Sequence, residues 1–227
     1  MKPRLHPANS LTIAFFAMLI STTATAESPP DSLSFALQLS RLNISLHEGQ
    51  HSINTTAKHL GIVSFDTSGQ TLQPGLAVGY AYISDSSQSY TAGMELQGYY
   101  LAPALRGVLI DGQRLSATLS GTYLYQRVKD NNSQQAVSLE WHQPQLDLEV
   151  TCRISRQISL LLGGQYGRID VDEKITNGVD QTITLKSEAI LGYRAGLEFD
   201  LGGDAQVGMR LHRAIGDGVE LYFQRQY

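Results

Sequence analysis

Histidines and scattered carboxylates are the residues of this 227-residue chain with the most chemistry to offer. His47, His51 and His59 fall close together in one polar stretch, but their spacing fits no established metal-ligand pattern. A serine nucleophile activated by a base on the same strand needs His and Ser two residues apart, so that both project from one face. No His here is followed by Ser at that distance. His51 and Ser52 are adjacent and would point to opposite sides of a strand. Asp170, Asp172, Glu173 and His142 could supply acid–base pairs at a rim, yet each fits a solvated loop equally well. The single Cys152 has no disulfide partner and no neighbour at ligand spacing. These patterns predict no catalytic residues, no metal and no cofactor.

A second group of charges is more regular. Glu95, Arg114, Glu140, Lys186, Glu188, Arg194, Glu198, Arg210 and Glu220 mix both signs and sit within segments of alternating polarity. His212 lies on the same face as Arg210. Such a set could line an ion path, but it better suits a static salt-bridge network that satisfies buried charge.

The elements that must hold these charges are strands. Apolar and polar residues alternate with period two in segments broken by turn-forming residues. In 72–83, Leu76, Val78, Tyr80 and Tyr82 alternate with Gly75, Ala77, Gly79 and Ala81. Similar patterns run through 90–101, 115–125, 137–150, 158–166, 183–201, 205–211 and 219–227. In the first segment Leu33, Phe35, Leu37 and Leu39 share a face until Arg41. There the phase flips to Leu42, Ile44 and Leu46, as a β-bulge would permit. A second slip falls near Pro144, between Trp141 and Leu146. Counting 60–66 as a strand gives ten, the number the pattern favours; demoting it and merging the last pair gives eight, the alternative. Asp85-Ser-Ser, Lys129-Asp-Asn-Asn-Ser, 172–180, Gly202-Gly-Asp and Gly216-Asp-Gly read as hairpin turns.

The N-terminus carries an export signal: Lys2 and Arg4, an apolar core over 11–20, and the small-residue site Ala24-Thr25-Ala26. Ten apolar residues are too few to span a bilayer, which needs about 20. Residues 1–26 are therefore a cleaved signal peptide and 27–227 a single domain. No acid lies before residue 27, whereas Lys2 and Arg4 are lost, so the net charge of −4 becomes −6. A mildly acidic chain argues against a nucleic-acid partner.

Alternation alone does not say which face points inward. Three features favour apolar residues outside and polar ones inside. Both charge signs sit mid-strand on the polar face. Small residues (Gly75, Ala77, Gly79, Gly163, Gly192, Gly196, Gly208) are interleaved there, as a narrow lumen requires. Tyr80, Tyr82, Tyr100, Tyr123, Tyr125, Trp141, Tyr166, Tyr193, Phe223 and Tyr227 lie mostly on the apolar face near segment ends, as interfacial girdles do.

Signal segment, alternating strands, girdle tyrosines and an amphipathic terminal strand together resemble the small bacterial outer-membrane β-barrel superfamily of the OmpA and OmpX type, over residues 33–227. The resemblance implies an all-β, antiparallel up-and-down transmembrane barrel with a polar, filled lumen and both termini in the periplasm. It implies outer-membrane lipid and lipopolysaccharide as surroundings. It also implies that the barrel-assembly machinery reads Val219, Leu221, Phe223 and Tyr227; Arg225, on the same face, departs from that pattern. The role expected is structural or one of surface interaction through segments 48–58, 128–136 and 171–182. A narrow channel for small solutes or ions is the alternative, and an outer-membrane lipid hydrolase a more distant one.

Overall fold

The computed structural model describes residues 33–48, 51–68, 71–85, 95–130, 136–176, 180–187, 190–202, 204–213 and 216–227. The expected signal segment at 1–26, Glu188 and residues 131–135 of an expected turn lie outside the described residues, as does the part of the 90–101 segment before residue 95.

Twelve antiparallel strands account for the described chain: β1 (Leu33–Glu48), β2 (His51–Asp66), β3 (Leu72–Asp85), β4 (Glu95–Asp111), β5 (Leu115–Asp130), β6 (Ala136–Arg153), β7 (Ile158–Gly167), β8 (Asp170–Thr176), β9 (Asp180–Lys186), β10 (Ile190–Gly202), β11 (Ala205–Arg213) and β12 (Asp217–Gln226). Ten of them, β1 to β7 and β10 to β12, form a closed ring, because β12 pairs back onto β1 from Ser34↔Gln226 to Asn43↔Asp217. These ten match the ten segments of the sequence pattern. The 60–66 segment is the second half of β2, so residues 51–58 are strand rather than loop. The 183–201 segment is not one strand: it is broken between β9 and β10.

The upper end closes differently. β11 and β12 are short, and above them β9 meets β1 at His47↔Lys186, while β8 pairs with the first half of β6. The upper ring is thus β1-β2-β3-β4-β5-β6-β8-β9, eight strands. The barrel narrows from ten strands to eight. With both termini in the periplasm, as expected for barrels of this kind, the ten-stranded end would be the periplasmic one.

In the lower barrel, outward side chains are apolar, whereas the inward ones are mostly polar except on β2 to β4, where Val63, Phe65, Ala77, Ala102 and Ala104 face the lumen. Leu37, Ile62, Val78 and Leu101 form a continuous outward row across β1 to β4 and are about half exposed. In the upper barrel the polarity is reversed. Ile44, Leu46, Ile53, Ile83, Leu96, Val128, Val137, Leu139, Trp141, Val171 and Leu185 point inward and form one buried core. Outside stand Arg41, Asn43, Ser45 and His47, with Ser45 bonded to Asn54 and Thr56 to Asn43. A barrel in lipid must present apolar atoms outward, whereas a barrel in water buries them.

This reversal corrects the two irregularities expected from the sequence. The register of β1 with β2 is unbroken from Leu33↔Asp66 to Glu48↔His51, so Arg41 marks no bulge. Likewise β5 and β6 pair without a shift from Leu115↔Cys152 to Asp130↔Val137, through Pro144. The backbone keeps its phase at both places, and only the surroundings of each face change. Between β9 and β10 the opposite happens. Ile183 and Leu185 point inward on odd positions, whereas Arg194 and Glu198 point inward on even ones. There the break in the strand and the change of polarity cancel, and the sequence pattern looks continuous.

Candidate functional site

The lower barrel encloses a cavity of about 470 Å³. Its floor is the rim of the ten-stranded end, where the exposed residues Gly112, Gln113 and Arg114 line it. Its ceiling is the underside of the apolar core. There His59 Nε2 hydrogen-bonds Gln126 Oε1 at 2.7 Å, and the His59 ring meets Tyr100 edge-on at 5.3 Å.

One wall carries an ion network that spans four strands. Arg210 on β11 forks onto Glu149 of β6 (Nε–Oε2 3.1 Å, Nη2–Oε1 3.2 Å) and donates through Nη1 to Glu220 of β12 at 2.7 Å. Arg194 on β10 lies 3.4 Å from Glu149 and 3.5 Å from Asp147. His212 Nε2 stands 3.4 Å from the other Glu220 oxygen. Tyr222 donates to Glu198 at 2.7 Å, and its ring lies under the Arg210 guanidinium at 4.1 Å. Paired, charge-assisted contacts of this kind are what make buried charge tolerable.

A ladder along β6 joins the network to the ceiling. Trp141 Nε1 donates to Gln143 at 3.2 Å, Gln143 to Gln145 at 2.9 Å, and Gln145 to Asp147 at 2.7 Å. These are successive inward positions of one strand, which is why period-two spacing brings them together. Glycines make room for the inward aromatics: a Cβ on Gly208 would fall 2.2 Å from the Tyr222 ring, and one on Gly61 would strike Tyr100.

Of the charges singled out from the sequence, Arg194, Glu198, Arg210 and Glu220 meet in the lumen, and Arg114 stands at its rim. Glu95, Glu140 and Lys186 do not belong to it: all three lie on the outer face of the upper barrel. The assumption that polar residues point inward fails above the membrane, where the outer face meets water. Glu140 there bonds Lys174 at 3.0 Å, with Arg127 at 3.6 Å. The hydrogen bond from Lys174 holds the Glu140 carboxyl below its ordinary range, against a smaller opposing effect of burial. Asp147 and Glu149, which alternate with Leu146, Leu148 and Val150 on β6, are central to the network. Arg106 and Gln126 gave no signal.

The rim candidates do not converge. His142 faces outward, bonded to Tyr123 at 2.8 Å, and Asp170 is engaged by Arg168 at 2.7 Å. Asp172 accepts from Thr184 at 2.8 Å, whereas Glu173 is turned into the apolar core. No group of three metal-ligating side chains occurs among the described residues.

Outside, two aromatic girdles bound the apolar belt. Tyr80 and Tyr99 (ring centroids 5.8 Å apart), Tyr123, Tyr166 and Tyr193 stand at its upper edge; Phe35, Phe199, Phe223 and Tyr227 stand at its lower edge. Tyr100 and Trp141, expected among them, are instead buried inside. On β12, Leu221, Phe223 and Tyr227 are exposed outward, and the Arg225 guanidinium covers Tyr227 at 4.9 Å. Near an interface such an outward Arg is tolerated, at about 0–1 kcal/mol.

A closed antiparallel barrel with an apolar outer belt, aromatic girdles and a polar lumen is an outer-membrane-type β-barrel. No protein-family model matches the chain, and neither does any curated protein. Solved structures of similar shape include the outer-membrane protease OmpT of Escherichia coli (12% identity, 91% of this chain and 100% of that one, TM-score 0.48). An outer membrane channel from Pseudomonas putida F1 is similar at 12% identity over 90% and 100%, with a TM-score of 0.49. Ail, the attachment invasion locus protein of Yersinia pestis, is similar at 13% over 86% and 93%, with a TM-score of 0.35. The likeness is one of barrel shape, shared by a protease, a channel and an attachment protein, and it distinguishes no role.

Proposed function

We propose that this chain is a sealed outer-membrane barrel with a structural or surface-interaction role, and not a conducting pore. The observation that carries this reading is the apolar core of the upper barrel. Ile83, Leu96, Val128 and Trp141 are each at most 1% exposed and fill the eight-stranded neck above the polar lumen. A ring of eight strands is about wide enough for side chains to fill it, which leaves no wet path for ions. The polar skin of the neck, held above the upper girdle, is the surface offered to partners. The scattering of His142, Asp170 and Glu173 over both faces supports a non-enzymatic role. The outward row Val219, Leu221, Phe223 and Tyr227 on the closing strand is the candidate feature for recognition by the barrel-assembly machinery.

Planar-bilayer recording of the purified barrel tests the sealed reading. The expected record is a flat baseline without discrete steps. Reproducible single-channel steps whose size follows the salt concentration would overturn it.

A further inference from the structure

The ion network does not use every lumen charge. Arg106 on β4 lines the cavity with its guanidinium stacked 3.7 Å from the centre of the Phe65 ring. It makes no ion pair with a carboxylate among the described residues, and it lies in the repulsive field of Arg194 and Arg210, only partly offset by Glu149. Stacking covers one face of a guanidinium and leaves its five N–H donors, in the plane, free to bond. The strand beside it adds donors. Ser120 is the cross-strand neighbour of Arg106, and Thr118 and Thr122 flank it on the same inward face. No hydrogen bond occupies these three hydroxyls among the described residues. The cavity is capped by apolar side chains above and reaches exposed Arg114 and Arg153 at the periplasmic mouth.

We propose that the lumen is a binding site for a small oxyanion, a carboxylate or phosphate on a soluble periplasmic molecule, held by Arg106 with the hydroxyls of Thr118, Ser120 and Thr122. The planar guanidinium fork matches both oxyanions in two-point geometry. The hydroxyls add rotatable O–H donors beside the guanidinium; the carboxylates of the neighbouring strand are those that Arg194 and Arg210 already engage. Arg114 and Arg153 at the mouth raise the local concentration of anions and exclude cations. The volume of about 470 Å³ suits a metabolite-sized ligand.

Calorimetric titration of inorganic phosphate and of succinate into the folded barrel in detergent tests this. At least one probe should bind saturably, and the tighter of the two identifies the preferred oxyanion. Arg106→Gln should weaken that binding at least tenfold, whereas Arg127→Gln on the outer surface should leave it unchanged. Equal binding by Arg106→Gln and the parent, or no binding of either probe to the parent, would overturn the proposal. A second arm does not depend on that variant folding. In a Cys152→Ser background, Ser120→Cys should react with a charged thiol reagent, and the bound oxyanion should slow the reaction at least fivefold; an unslowed reaction also refutes the site. Conductance is a separate readout, so failure here leaves the sealed-barrel reading standing.

Discussion

Leu37→Arg tests whether the lower barrel faces lipid. Leu37 belongs to the outward row and is 54% exposed, with Phe223 of β12 on one side and Ile62 of β2 on the other, both exposed as well. It lies one outward position above Phe35 and two below the first outward charge at Arg41, inside the apolar belt. An Arg at the bilayer midplane of such a barrel destabilises it by about 2–4 kcal/mol. The same change on a water-exposed strand face costs within about 0.5 kcal/mol. His47→Arg, on the same face of β1 but in the neck, serves as the control and should fall within that smaller range. Trp141 is the sole tryptophan, 1% exposed inside the neck, so its fluorescence reports closure of the barrel. Denaturant titration of variants refolded into phospholipid vesicles gives the difference directly. A loss below about 0.5 kcal/mol for Leu37→Arg would refute the assignment of this face to lipid.

Two further outcomes follow from the lumen. Arg210→Gln strands Glu149 and Glu220 without their shared cation and should destabilise the barrel by about 3–5 kcal/mol in the same titration; a triple variant that also carries Glu149→Gln and Glu220→Gln should recover most of that loss. Gly208→Ala drives a methyl group into the Tyr222 ring and should lose about 1–3 kcal/mol, a loss that the additional change Tyr222→Ala relieves and Tyr222→Phe does not.

How much of this was legible in the sequence depends on what alternation encodes. Period two separates two faces, and turn residues separate strands, so all ten staves were readable, down to the weak 60–66 stretch. It does not say which face is inner. That depends on what surrounds the barrel at each height, and the surroundings change partway along every long strand. Reading one rule throughout turned the reversals at Arg41 and Pro144 into backbone irregularities. It also sent Glu95, Glu140 and Lys186 into the lumen and Tyr100 and Trp141 out of it. The lumen pairs that were found, Arg194, Arg210, Glu198 and Glu220, all lie in the stretch where the single rule holds. Arg106 was missed because its neighbours Ala104 and Val108 give β4 no polar face to read.

The eight-stranded neck constrains the route by which the molecule reaches its place. Its outer skin is hydrophilic and its inside oily, the reverse of what a bilayer accepts. A finished neck therefore has no passage through hydrocarbon. The strand pairs β1–β2, β3–β4, β5–β6 and β8–β9 must cross as loose chain and condense on the far side. Closure of the ten lower staves and consolidation of the neck are then two events in two solvents. The second can be weakened, by Ile83→Ala for instance, in a molecule that is already inserted.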